Sequence, residues 1–446
     1  MPDHPTTGVP AGVPSGGPTA GSVRDGRPPR TGTRPTVTPA LVAAAVLAAY
    51  LAFVGARLAV FDGDPSAFVA AGDGVTDPGT APDGLLVTPG VDGYDGQAYY
   101  RLARSPLTEA VSDLGITFRR PAYWQARIGY PATAWVLSGG GRGGAVPVAL
   151  LAVNLAAVAV IALLAAALAR DAGRSPWWGA VPALWPGYLV GVGQDLSEPL
   201  AGALLLAALL ALRRDRPLPA TVLLLLAALT RETTLVVALA VLAVGMTRAV
   251  GEAAGGAERL RARIGAAPAW WVGAVPLAGY AAWRTWVRAR WADQLPDPPA
   301  DNNLGPPLRA LAHYLGRAAG DLAGGGTGEV GNLVLLVPTL VVVALLAGIL
   351  VRVDGPAYER LALAGYLALL LCLPVWDRGQ AYLRWGCEPV LLGWLLLVAR
   401  RVPPGGPSGP ARPAAAIAAL TVALWLVAAT QSVGYPRPGE GWWSWS

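Results

Sequence analysis

The feature that most constrains this chain is a repeated alternation: long apolar runs, each about the length of a bilayer crossing, separated by short clusters of arginine. The hydrocarbon core of a bilayer is about 30 Å thick and a helix rises about 1.5 Å per residue, so one crossing needs roughly 20 mostly apolar residues. Such runs recur from Leu41–Val60 near the start to Ala414–Ala429 near the end. Only 14% of the 446 residues are charged, against roughly 25% in an average soluble domain. Lipid is therefore the expected solvent.

Positive charge in short loops marks the cytoplasmic side. Here it gathers in the N-terminal tail (Arg24, Arg27, Arg30, Arg34) and then at Arg170 to Arg174, Arg213 to Arg216, Arg248 to Arg263, Arg352 to Arg360 and Arg400 to Arg412. An even number of crossings must separate neighbouring clusters, and two fit each time. The stretch from Ser175 to Leu212 is too long for one helix and is broken at Gln194 to Pro199. That from Leu218 to Met246 is interrupted by Arg231 and Glu232, each of which would cost about 2.5 to 3.5 kcal/mol at the bilayer centre. Both breaks become external turns. The expected architecture is an all-α integral membrane protein of about eleven transmembrane helices, multi-pass in the plasma membrane, with the N-terminus cytoplasmic and the C-terminus external.

Residues 1–36, rich in Pro, Gly, Thr and Ser, read as a disordered cytoplasmic tail. Residues 37–432 form the membrane domain, with a large first external loop at 61–144 bearing short amphipathic helices. Residues 433–446 are a short external tail.

All 34 basic residues are arginine, so Schiff-base and P-loop lysine chemistry is excluded. The only histidines are His4 and His313, which argues against a histidine-ligated zinc or iron site. Any metal would be held by carboxylates. Cys372 and Cys387 lie in or beside apolar runs, where cysteine behaves as a small hydrophobe.

The external turns are where charge collects. The first loop carries Asp92, Asp95, Arg101 and Arg127; the second turn Asp195 and Glu198; the third Arg231 and Glu232; the fourth loop His313, Tyr314 and Arg317; the fifth Asp377, Arg378 and Arg384. Arginines on this side run against the positive-inside tendency. They either pair with neighbouring carboxylates or bind an anion such as phosphate, whose oxygens the guanidinium fork matches. Within Val91–Ala103, Asp95 before Gly96 suggests the N-cap of a short surface helix. A cap does not account for the surrounding Tyr94, Tyr99 and Tyr100, nor for the later Arg127–Pro131 turn.

The segment GYDGQAYYRLA, an acid in an aromatic setting within a large first external loop, resembles the membrane glycosyltransferases of the GT-C fold, in particular bacterial mannosyltransferase-like enzymes that use polyprenyl-phosphate sugars. RIGYPATAWVL resembles their turn returning to the second helix, DLSEPL the second acidic turn, LTRETTL the third, and AYLRWGCEP the arginine-aromatic turn near the carrier phosphate. Trp385 stands where a tyrosine is more usual in that last motif.

The resemblance implies transfer of a hexose or pentose from a polyprenyl-phosphate-linked sugar to a lipid or glycan acceptor, with Asp95 as general base. It implies substrate contacts from Asp92, Tyr94, Gln97, Tyr99, Tyr100, Arg127, Arg231, Glu232, Arg378 and Arg384, the arginines meeting the phosphate. Asp195 and Glu198, three apart, would share a helix face if their turn is helical, and could hold a divalent cation such as Mg or Mn; helix capping beside Pro199 is the alternative. The partners expected are the lipid-linked sugar, the acceptor and the bilayer, with no nucleic acid. The rival class is a multi-spanning transporter or flippase, which would need charge near the bilayer midplane.

Overall fold

A computed structural model describes residues 37–253, 267–294, 304–398 and 412–436. The expected N-terminal tail and residues 437–446 of the expected external tail lie outside the described residues, as do parts of the arginine clusters Arg248 to Arg263 and Arg400 to Arg412.

The chain begins with α1 (Pro39–Val60), whose start is written in its sequence: the Thr38 hydroxyl accepts from the Leu41 amide, and Pro39 occupies the first helical position, where no amide is needed. The following segment is compact but mixed rather than purely helical. It carries β1 (Ala71–Gly72) paired in parallel with β2 (Val87–Thr88), then α2 (Gly96–Arg104), then β3 (Ser112–Asp113) paired antiparallel with β4 (Ile116–Thr117). After these come α3 (Pro121–Gln125) and α4 (Gly129–Leu137). Arg101, on α2, explains how this segment holds together. Its wholly buried guanidinium donates to the carbonyls of Val111 and Ile116, both at 2.8 Å, and to that of Ala110. It also lies over the Phe118 ring, 3.9 Å from the centroid. Burial lowers its pKa to about 10, still well above neutrality.

The remaining helices are α5 (Val146–Asp171), α6 (Ala180–Ala183), α7 (Pro186–Gly193), α8 (Glu198–Arg213), α9 (Pro217–Thr230), α10 (Leu235–Ala253), α11 (Trp271–Trp291), α12 (Arg309–Ala323), α13 (Val330–Arg352), α14 (Ala357–Leu371), α15 (Gly379–Trp385), α16 (Cys387–Val398) and α17 (Arg412–Ser432). Six stretches among the described residues are long and apolar enough to cross a membrane: Pro39–Val60, Gly143–Asp171, Glu232–Glu252, Val330–Arg352, Ala381–Val398 and Arg412–Ser432. The chain is thus a mostly helical protein of membrane character. The apolar α9 has only 14 residues, about 21 Å of helix, because Arg231 turns to an extended backbone and ends it. In α11 the second half carries Arg284, Arg288 and Arg290.

One apolar core joins α1, α5, α7, α8, α10 and α13 to α17. Two close approaches set the geometry of the site. Gly187 on α7 faces the Leu383 carbonyl and the Cys387 sulfur so tightly that a Cβ would overlap both, and the Trp185 indole donates to the same carbonyl at 2.7 Å. Gly96, the first residue of α2, packs on the carbonyls of Val69 and Gln194 in the same way. The glycines therefore press α15 and the start of α2 against the turn between α7 and α8.

Candidate active site

Arg384, on α15, lies where these elements meet. Its Nε donates to Glu198 Oε1 at 2.5 Å, its Nη1 to the Tyr94 hydroxyl at 2.9 Å and its Nη2 to Asp95 Oδ2 at 3.3 Å. Glu198, at the start of α8, is wholly buried, and the same Oε1 also receives Arg231 Nη1. Arg231 in turn faces Glu388 Oε1 through Nε at 3.1 Å. The Thr233 hydroxyl accepts from Arg231 Nε at 2.8 Å and donates to Glu388 at 2.7 Å. The result is a continuous chain, Asp95–Arg384–Glu198–Arg231–Glu388, drawn from four turns of the sequence. Beside it, Arg127 clasps Glu232 with two hydrogen bonds of 2.7 and 2.5 Å, and its guanidinium stacks on Tyr123, whose hydroxyl accepts at 2.7 Å.

Asp95 is the exposed end of that chain. It precedes α2 with φ −57° and ψ −25°, already helical, and its side chain makes no capping hydrogen bond; a capping side chain needs an extended backbone at that residue. The carboxylate, 21% exposed, instead faces a cavity of about 500 Å³ lined by Asp92, Tyr94, Asp95, Gln97, Arg119, Arg120, Tyr123, Trp124 and Arg378, among others. That volume is in the range of small-molecule sites, roughly 300 to 1,000 Å³. Burial pushes the Tyr94 and Tyr99 phenols above their ordinary range, outweighing the pull of nearby arginines, so both remain neutral.

The other expected site residues are distributed unevenly. Asp92 and Arg378 line the cavity. Gln97 also borders it, but its side chain stitches the loop, accepting from the Thr76 hydroxyl at 2.7 Å and donating to the Asp92 carbonyl at 2.9 Å. Tyr99 and Tyr100 are buried packing residues: Tyr99 lies edge-on to Trp124 and Tyr130 and meets the Ser197 hydroxyl at 3.4 Å, while Tyr100 accepts from Arg104. Arg231 and Glu232 are consumed by the pairs just described.

The expected metal pair is not assembled. Asp195 and Glu198 do not share a helix face, because Asp195 takes a left-handed backbone (φ 48°) before α8 begins. Asp195 lies wholly buried beside the Arg57 guanidinium and Tyr130, whereas the hydrogen-bonded oxygen of Glu198 carries two guanidinium groups. Among the described residues no three His, Cys, Asp or Glu side chains cluster to hold a metal ion.

Residues not singled out in the sequence complete the site: Glu388 and Thr233 in the ionic chain, and Arg119, Arg120, Tyr123 and Trp124 around the cavity. No family model, curated protein or solved structure matches this chain.

Proposed function

We propose that the chain is a membrane glycosyltransferase of the GT-C type, with about eleven crossings and its first loop external. It moves a sugar from a polyprenyl-phosphate donor to a lipid or glycan acceptor at the non-cytoplasmic face of the plasma membrane. The observation that carries this reading is Asp95: a carboxylate that caps no helix, faces a ligand-sized cavity and is held by one arginine.

In the reaction, the acceptor oxygen attacks the anomeric carbon and the carbon–oxygen bond to phosphate breaks. The electron pair leaves with the polyprenyl phosphate, and the acceptor's proton passes to Asp95. The leaving phosphate gains negative charge, so it needs cations rather than a general acid. Arg378, Arg119 and Arg120 on the cavity wall supply them, with Arg384 behind Asp95. Arg231 acts at one remove, because Glu198 and Glu388 hold it and it does not line the cavity. Tyr123 and Trp124 offer aromatic faces to a sugar ring.

The transporter reading is favoured by one observation, the wholly buried Arg57 and Asp195, since intramembrane charges commonly mark substrate or ion paths. A screen of the purified protein against polyprenyl-phosphate sugars, detecting released polyprenyl phosphate, separates the two. A glycosyltransferase releases the carrier from at least one donor; movement of labelled lipid-linked substrate across vesicles without release identifies a transporter.

A further inference from the structure

Helix α12 takes no part in the ionic chain, yet its residues divide into three faces. Leu311, Tyr314 and Ala318, three and four apart, are buried in the apolar core. Arg309, His313, Arg317 and Gly320 form an exposed polar face. Ala312, Leu315, Ala319 and Leu322 make a further stripe at the same spacing, but this apolar stripe is exposed, Leu315 by 37% and Leu322 by 45%. At about 100° per residue it lies roughly 100 to 180° round the helix from Arg309, His313 and Arg317.

Three ties hold α12 at one end of the helical bundle. Ahead of it, the Gly305 and Leu308 amides donate to the Cys372 and Leu371 carbonyls at the end of α14, at 2.7 and 2.6 Å. Midway along it, Arg317 meets Asp377 at 3.9 Å, one position before Arg378 on the cavity wall. Beyond it, residues 324–329 lead into the first turn of α13, an apolar helix of span length that exposes Val334, Val337 and Val341. A second protein chain fits the exposed stripe poorly. Two leucines and two alanines on a helix about 22 Å long offer far less than the roughly 800 Å² per partner of a stable interface. A fluid lipid surface needs no matched shape, and the stripe adjoins the helix whose exposed valines would face lipid in a bilayer.

We propose that α12 is an interfacial helix whose occupant is the bilayer surface: Leu315 and Leu322 bed at the boundary of headgroups and acyl chains, while Arg309, His313 and Arg317 stay in water. The Arg317–Asp377 contact joins this membrane-lying helix to the turn that carries Arg378. The bilayer contact is independent of the reaction the cavity performs.

The test places nitroxide labels on single cysteines, Leu315→Cys, Leu322→Cys, His313→Cys and Gly320→Cys, in full-length Cys372→Ser protein held in phosphatidylcholine nanodiscs. All four positions are exposed, and a Cβ at Gly320 meets nothing, while the remaining Cys387 is buried. Collisions are measured with oxygen, which concentrates in lipid, and with a water-soluble nickel chelate. The ratio of oxygen to nickel collisions should be severalfold higher at positions 315 and 322 than at 313 and 320. Ala319→Cys takes the place of either leucine variant if that variant does not fold. Ready access of the nickel chelate to positions 315 and 322 puts the stripe in water and overturns the proposal. Protection of both positions from both reagents means that protein covers the stripe, a second copy or another chain, and overturns it equally.

Discussion

Replacing Glu198 by glutamine should destabilise the protein substantially, whether or not divalent cations are present. Glutamine keeps the shape but removes the charge that one oxygen shares between Arg231 and Arg384. Both guanidinium side chains are almost out of solvent, 6% and 10% exposed, so water cannot take the place of the carboxylate. Breaking a buried ion pair by removing one partner costs about 3 to 5 kcal/mol. One kcal/mol moves the midpoint of a 150- to 250-residue domain by about 2 to 4 °C, and a longer chain by less, so a fall of roughly 5 to 10 °C is expected. Tryptophan-fluorescence melting in detergent micelles, with EDTA and with added Mg or Mn, reads it directly. The fall should be the same in both conditions, and the wild type should be moved by neither. An unchanged midpoint in Glu198→Gln refutes its role as the shared partner of both arginines. Stabilisation of the wild type by Mg or Mn that the variant lacks makes Glu198 a metal ligand instead.

Three further outcomes follow from the same geometry. Arg213 and Glu359 tie α8 to α14 through two hydrogen bonds of 2.7 Å, with the Glu359 side chain fully buried. Glu359→Gln should therefore lower the melting midpoint, whereas the double change Arg213→Met with Glu359→Leu should restore much of it, because replacing both partners leaves no stranded charge; equal midpoints for the single and double variants contradict this. Arg384→Lys keeps the charge but cannot reach Glu198, Tyr94 and Asp95 together, so donor affinity should weaken about tenfold, the loss of one charged hydrogen bond. Unchanged affinity assigns Arg384 to structure alone. For topology, in a Cys372→Ser background, cysteines at the exposed Thr117 and Thr327 should react with an impermeant thiol reagent on intact cells, and one at the exposed Arg216 should not; labelling of Arg216→Cys overturns the proposed orientation.

What the sequence made legible follows from the expense of charge in apolar surroundings. Arg231, Glu198 and Arg384 were conspicuous because they interrupt apolar runs, and such groups survive only when paired or in use. Their pairing was not legible: Glu198 and Arg384 are 186 positions apart, and only the approach of α15 to α7 at Gly187 brings them together. Glu388 escaped notice because it opens an apolar helix, Cys387–Val398, where it looks like part of a turn; its position four residues after Arg384 was the available signal. The tyrosines misled in the opposite direction. Tyr94, Tyr99 and Tyr100 look alike in sequence, but only Tyr94 borders the cavity, since α2 is covered on the face that carries the other two. Asp95 itself looked like a cap from its neighbour Gly96, and backbone angles alone distinguish a capping carboxylate from an uncommitted one.

The most direct test of the central claim is the turnover of Asp95→Asn in carrier release, measured with donor affinity in the same preparation. Asp95 caps nothing, and its contact to Arg384 is the longest of the ionic chain and reaches an oxygen that asparagine keeps, so the substitution should leave the fold and donor binding near wild type. General-base assistance is worth roughly a hundredfold to ten-thousandfold, so turnover should fall by at least the lower figure, while Asp92→Asn, on the same cavity wall, loses less. A near-normal turnover in Asp95→Asn contradicts the account, and loss in Asp92→Asn alone moves the base to that neighbour.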